Sequence, residues 1–345
     1  MCRLAKIMIC ILLVSAVMCG CVPFSDIDSA HSEVASEEEN ETENEVDLIS
    51  VGFSQLGSES RWRIANTKSI ESELTRSKGF DLIMSNARQR QDNQIKDIRS
   101  FISQGVDYIV FSPVTEKGWE TVLGEAKEAG IPVILVDRKI STNDDTLYTT
   151  WVGSDARREG EKAGEWLEGY LARKRFPDYE DINIVVLQGT TGSSAQIGRT
   201  MGFDSISDKH QNWHILEQQS ADFTTAKAKE VMSYFLDKYE DIDVVVCQND
   251  DMAFGAITTL KEAGFKTGED GDIVLISFDA VNAALELVEA GEINVDIECN
   301  PLEGEYISDI IRKLENGEPV ERSYVVDEQV FTKSNVSEVL ADRAY

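Results

Sequence analysis

The sequence predicts an α/β protein built from two doubly wound, parallel-sheet lobes with a cleft between them. Three observations predict it. From Asp47 onward, short apolar runs alternate with segments of helical periodicity, the pattern of a parallel sheet with helices on both faces. That alternation occurs twice, in two similar halves. In both halves, apolar runs end in Asp, Arg or Asn, at the strand ends where open α/β sheets keep their ligand crevice.

The chain opens with a targeting segment, residues 1–20. Arg3 and Lys6 precede an apolar run, Ile7 to Val17, shorter than the roughly 20 residues that span a membrane. Met18-Cys19-Gly20-Cys21 resembles a bacterial lipobox, in which the cysteine after the cleavage site is lipidated. This makes Cys21 the expected lipidation site; a plain secretory signal is the alternative. Either reading places the mature chain outside the cytoplasm. Residues 21–46 read as a disordered acidic tether, because the stretch from Glu33 to Asp47 holds eight acids and no base. Such a stretch cannot bury a core and repels itself into an extended form.

In the first half the strand-like runs are Leu48 to Phe53, Asp81 to Met84, Val106 to Phe111, Ile131 to Val136 and Tyr148 to Val152. Helical spacing joins Ile95, Ile98 and Ile102, and also Trp119, Val122, Leu123 and Ala126. The second half repeats the pattern with Ile182 to Leu187, Trp213 to Leu216, Ile242 to Cys247, Asp272 to Ser277 and Ile293 to Ile297. Ile131 to Arg138 (IPVILVDR) has its counterpart in DIVLISFD, which ends at Asp279. A last helix, Pro301 to Asn316, stops at Asn316-Gly317. A helix placed after the second set of strands predicts that the chain crosses back between lobes.

Composition excludes more than it names. The 345 residues carry 33 basic and 63 acidic side chains, a formal charge of -30, which argues against a nucleic-acid partner. Four of the six cysteines lie in the signal region. Cys247 and Cys299 follow apolar runs and read as small buried residues, a single pairing being the other possibility. His210 and His214 stand four apart with Trp213 between them, which is poor metal-ligand geometry. There is no G-x-S-x-G elbow and no GK[ST] phosphate loop. Gln188 to Ser194 is a small-residue loop suited to a tight strand-to-helix turn or to a phosphate at a helix N-terminus. No enzyme activity, metal or cofactor is expected.

Carbohydrate binding fits better. Sugars present C–H planes and hydroxyls that both donate and accept, and they are held by an aromatic face plus ionised and amide side chains. The strand ends supply these types in QLGSESRWR (Gln55 to Arg63), Asp137-Arg138, Asn249-Asp250-Asp251 and Asp279.

These segments also carry a family resemblance. VGFSQLGSESRWR, DNQIKDIRSFISQGVD, IPVILVDR, LQGTTGSSAQIGRTMGF, QQSADFTTAKAKEVM and CQNDDMAFGAI resemble the periplasmic sugar-binding proteins of ABC transporters, the ribose and galactofuranose group. The resemblance runs from about Leu48 to Asp327 in the family's order. It implies the type I periplasmic binding protein fold, with lobes joined by a multi-strand hinge. One lobe would be residues 47–152 plus 300–327, the other 153–299 plus 328–345. It further implies ligand contacts at Ser58, Glu59, Trp62, Arg63, Asp137, Arg138, Arg199, Phe223, Asn249 and Asp279. Where ribose binders carry Gln this chain has Cys299, and Glu298 beside it resembles the galactofuranose pattern, so Glu298 joins the expected contacts. Local readings stand beside these: Trp62 packing on its own helix, Glu59 favouring a helix dipole, Arg63 at the surface, and Asp250 and Asp251 capping the following helix. The partners implied are a monosaccharide and a membrane permease, for a monomer anchored by lipid; a membrane sensor is the alternative receiver.

Overall fold

A computed structural model describes residues 47–174 and 181–345. The expected signal peptide, the tether and Cys21 lie outside the described residues.

The first sheet begins with β1 (Ile49–Gln55), α1 (Arg61–Glu73), β2 (Phe80–Asn86) and α2 (Gln91–Gln104). It continues through β3 (Tyr108–Phe111), α3 (Glu120–Glu128), β4 (Val133–Val136) and β5 (Thr150–Gly153). Then α4 (Ala156–Lys174) leads to the second sheet: β6 (Ile182–Gln188), α5 (Ser194–Ser207), β7 (Trp213–Ser220), α6 (Thr225–Lys238) and β8 (Val244–Cys247). After these come α7 (Asp250–Glu262), β9 (Val274–Asp279), α8 (Asn282–Ala290) and β10 (Val295–Glu298). The chain closes with α9 (Gly304–Glu315), β11 (Ser323–Val325) and β12 (Val330–Phe331).

The sheets have matching orders, β11-β5-β4-β3-β1-β2 and β12-β10-β9-β8-β6-β7. All pairings are parallel except the antiparallel β10–β12 pair. These are the two doubly wound lobes that the repeated pattern predicts. Their central strands β3, β4 and β8 are buried at every residue, which is why they read as unbroken apolar runs. The chain passes between sheets on leaving β5, on leaving β10 and between β11 and β12. β11 and β12 have no counterpart among the apolar runs of the sequence: they hold three and two residues, and β11 is largely exposed.

Helix α9 returns to the first lobe. It packs Ile307, Ile310 and Ile311, each at most 2% exposed, against Val51, Ile70 and Phe80; each such side chain is worth about 1.5–3 kcal/mol of burial. In the second lobe, α4 and α5 touch backbone to backbone. A Cβ on Gly160 would lie 2.3 Å from the Arg199 carbonyl oxygen, and one on Gly202 would lie 2.1 Å from that of Arg157. Glycine at both places lets the helices close, which brings Glu159 of α4 beside Arg199 of α5.

Candidate functional site

The C-terminal ends of the two sheets face one another across a crevice. One cavity of about 170 Å³ is lined by residues including Lys139, Trp151, Ser154, Glu159, Arg199 and Cys299. A tighter recess is lined by Glu59, Ser60, Trp62, Arg63, Asp137, Arg138, Ala195, Arg199, Phe223, Asn249, Asp279 and Cys299. The two adjoin at Asp137, Ala195, Arg199 and Cys299.

Asp137 and Arg138 follow β4 directly. Asp137 adopts φ 61° and Asp279, at the end of β9, φ 109°, so each lobe delivers an acid from a positive-φ position. Backbone of this kind clusters at ligand clamps. Asp137 Oδ2 accepts from Arg63 Nη2 at 2.6 Å and from Ser112 Oγ at 2.9 Å. Burial raises the Asp137 pKa, but Arg63 and Arg138 outweigh it and hold the carboxyl below its ordinary value. Arg138 itself is pushed down to about 10, first by burial and then by the neighbouring Arg63 charge. Its guanidinium lies over the Phe223 ring at 5.3 Å, and its Nη1 donates to the Val114 carbonyl.

Helix α1 supplies the rest of this wall. Its N-cap Ser60 accepts from the Arg63 amide at 3.1 Å. Trp62 Nε1 donates to the Cys299 carbonyl at 2.6 Å, and Arg63 Nε pairs with Glu59 at 3.3 Å. Arg63 is therefore 3% exposed, with its charge answered by two carboxylates. Behind the helix, buried Asn66 bridges Gln55 and Glu303, fixing α1 to β1 and to the chain entering α9.

On the opposite wall Arg199 ties three elements. Its Nε donates to Glu159 at 2.6 Å, its Nη1 to the Gln248 carbonyl, and its Nη2 to Asp279 at 3.4 Å. Burial works against the Arg199 charge, but Glu159 and Asp279 are among the groups that hold its pKa well above normal. Asp279 is pushed well up by burial, against the pull of Arg199. Asn249 caps α7 through the Met252 amide at 2.9 Å. The Phe223 ring lies where Gly189 has no side chain: a Cβ there would sit 1.9 Å from the ring. The loop after β6 thus makes a tight turn and seats an aromatic. Gly189→Ala is expected to drive Phe223 out of the crevice and to destabilise the fold by about 1–3 kcal/mol, read as a lowered urea midpoint.

Nine expected contacts therefore line the recess: Glu59, Trp62, Arg63, Asp137, Arg138, Arg199, Phe223, Asn249 and Asp279. Two are placed elsewhere. Ser58 is exposed in an outer depression with Asn86 and Gln89; Ser60, two residues on, takes the inner place. Glu298 is committed to Arg343 at 2.6 Å, to the Tyr345 hydroxyl and to the Gln329 amide. Cys299, the residue after β10, lines the crevice, and Glu298, the last residue of that strand, does not. Asp250 and Asp251 do not cap α7 either. Asp251 reaches the other lobe, accepting from the Arg61 amide at 2.8 Å, and Asp250 is fully buried. Glu159, a contributor from the first turn of α4, carried no strand-end signal.

Both cysteines are free and buried. Glu159, Cys299 and Glu328 offer ligand atoms within 4.8 Å of one another, but the Arg199 guanidinium already supplies the cation at Glu159. His210 stacks on Trp213, and His214 pairs with Asp181, so the two histidines serve different partners. Among the described residues, no helix is long and apolar enough to cross a membrane.

Deep carboxyls give the fold an unusual pH response. Asp296, fully buried, is pushed up to about 7 by burial and by the Asp279 charge. The folded state then keeps a proton that the unfolded chain releases near pH 4, so this group's contribution is full below about pH 4 and is lost as pH rises through 7. We expect Asp296→Asn to remove a downward slope of up to about 1.4 kcal/mol per pH unit in that window, measured by urea denaturation at several pH values.

The periplasmic binding protein domain family matches residues 51–318. The chain is 43% identical over 256 residues to the galactofuranose-binding protein YtfQ of Escherichia coli (strain K12), covering 73% of this chain and 78% of that one. A solved structure from Mycobacterium smegmatis in complex with β-D-fucofuranose is 41% identical, with a TM-score of 0.82 over 86% of this chain and 96% of its own. The binding protein of the arabinose ABC transporter of Shewanella sp. ANA-3, bound to α- and β-L-arabinofuranose, is 38% identical, with a TM-score of 0.79 over 86% and 95%. With two matching lobes and a family match across nearly all of both, the chain belongs to the periplasmic binding protein domain family.

Proposed function

We propose that the protein is an extracytoplasmic, lipid-anchored substrate-binding protein. It captures a monosaccharide in the inter-lobe crevice, a galactofuranose-like sugar or another pentose or hexose, and delivers it to an ABC importer. The observation that carries this reading is unspent hydrogen-bonding capacity at the crevice. Arg138 Nε, Glu59 Oε2 and Glu159 Oε1 are buried with no hydrogen-bond partner among the described residues. Buried polar groups are rarely left so. A polyol answers a donor and two acceptors at once, because each hydroxyl both gives and takes a hydrogen bond. Trp62 and Phe223 line the same recess and suit the apolar face of a sugar ring. The relatives named above were described with furanoses, which favours a five-membered ring as ligand.

Closure follows from contacts between the lobes. Arg61 meets Asp251, the Glu116 amide donates to the Gly192 carbonyl at 2.9 Å, and the Lys139 amide donates to Ser194 Oγ at 2.8 Å. A sugar that touches both walls adds to these contacts only in the closed form, so it shifts the equilibrium by its differential affinity for that form. The closed protein then presents one shape to the permease, and the tether with Cys21 keeps it near the membrane. Mass spectrometry of small molecules released from the purified protein tests the reading. A monosaccharide is expected; a non-carbohydrate ligand at stoichiometric occupancy would overturn it.

A further inference from the structure

The turn that delivers Asp279 is held from every side by groups that do not themselves line the recess. Asp279 and Ala280 both have positive φ, 109° and 59°, a conformation that persists only where surroundings over-determine it. The Ala280 amide donates to Asp296 Oδ1 at 3.1 Å, and the Val281 amide donates to Asp250 Oδ2 at 2.8 Å. The Ala280 carbonyl accepts from Arg343 Nε at 2.8 Å, and the Asn282 amide donates to the Tyr345 carbonyl at 2.6 Å. The clamps are themselves clamped. Ser277 Oγ donates to Asp250 Oδ1 at 2.5 Å. Glu298 holds Arg343, whose guanidinium lies 4.0 Å over the Tyr345 ring.

Asp250 and Asp296 are both fully buried, and each accepts from an amide of this turn. Burial, and then the Asp296 charge, push Asp250 well above its ordinary value. That direction favours a proton kept on the pair, which lets both carboxyls stand beside the turn with less mutual repulsion.

We propose that Asp250, Asp296 and Arg343 are positioning residues for Asp279: they fix the turn after β9 and so control ligand affinity without touching the ligand. This gives Glu298 its role, as the anchor of Arg343. The inference rests on the reading of Asp279 as a sugar contact.

The test is calorimetry with D-galactose, D-fucose and L-arabinose, whose solutions supply furanose forms, on the unaltered protein, Asp279→Asn, Arg343→Met and the double variant. Arg343→Met is expected to weaken binding about tenfold, and by less than twofold when Asp279 is already Asn, because coupled residues are not additive. Equal losses in both backgrounds, or none, overturn the inference. A second pair of variants does not depend on residue 343. Asp296→Asn keeps an oxygen for the Ala280 amide and should bind within twofold of the unaltered protein, whereas Asp296→Leu should lose about tenfold; equal affinities for the two overturn the inference. If the unaltered protein binds none of the three sugars, the sugar reading falls and takes the inference with it. Binding without the expected coupling defeats the inference alone.

Discussion

Arg199→Met is expected to lower the stability of the protein by about 3–5 kcal/mol near pH 8, the usual cost of leaving a buried charge without its partner. Here one guanidinium serves Glu159, Asp279 and the Gln248 carbonyl, so its removal strands two acids at once. Arg199→Lys should restore only part, since an ammonium cannot span three acceptors as a planar fork does. A shift in urea midpoint at unchanged slope reads the effect as stability. A loss below about 1 kcal/mol would mean that solvent reaches the stranded acids.

Asp137→Ala should be the most damaging change for binding. The carboxylate stands between Arg63 at 2.6 Å and Arg138 at 3.8 Å and sets how both guanidinium groups are presented. Charge-assisted hydrogen bonds contribute about 1.5–3 kcal/mol each, so losing one or two, with Arg63 and Arg138 left repelling one another, corresponds to about 10- to 100-fold or more in affinity. Asp137→Asn keeps the shape and one acceptor, and should fall between. Fold stability must be measured beside affinity, because the unpaired arginines also cost the folded state.

Much of this arrangement was legible in the sequence for a definite physical reason. The run leading to Asp137 is buried on both faces, so its residues are apolar without alternation, and its end is marked by the first charged side chain. β4 nevertheless begins at Val133, two residues after the apolar run does, because Pro132 has no amide to give the ladder. The apolar run of β7 stops at Leu216, yet the strand extends through Glu217, Gln218 and Gln219 to Ser220. As an edge strand with half-exposed faces, its far half looks like a loop. β11 and β12 carry almost no local signal, since their pairing partners lie far away in the chain.

At the site, residues that follow strands were recognisable, and residues that act by reaching out of helices were not. Glu159 sits within α4 and looks like any surface acid until the glycine contact with α5 buries it. The interchange of Glu298 and Cys299 turns on where β10 ends, since Glu298 is its last residue and Cys299 the first beyond it. Nothing local reveals that Glu298 has a better partner in Arg343, 45 residues later. Asp250 and Asp251 resemble helix caps because Asn249, just before them, is one. Their own partners, the turn after β9 and Arg61 of the other lobe, become visible only in three dimensions.

The central claim is that the crevice between Asp137-Arg138 and Arg199-Asp279 binds a monosaccharide. Titration calorimetry of the unaltered protein against pentoses and hexoses in furanose and pyranose forms tests it most directly, with Asp137→Ala alongside. The account predicts one-to-one binding tighter than about 1 mM, or 4.1 kcal/mol, for at least one furanose-forming sugar, and its loss in Asp137→Ala. Absence of binding by every sugar, or undiminished binding by a folded Asp137→Ala, would contradict it.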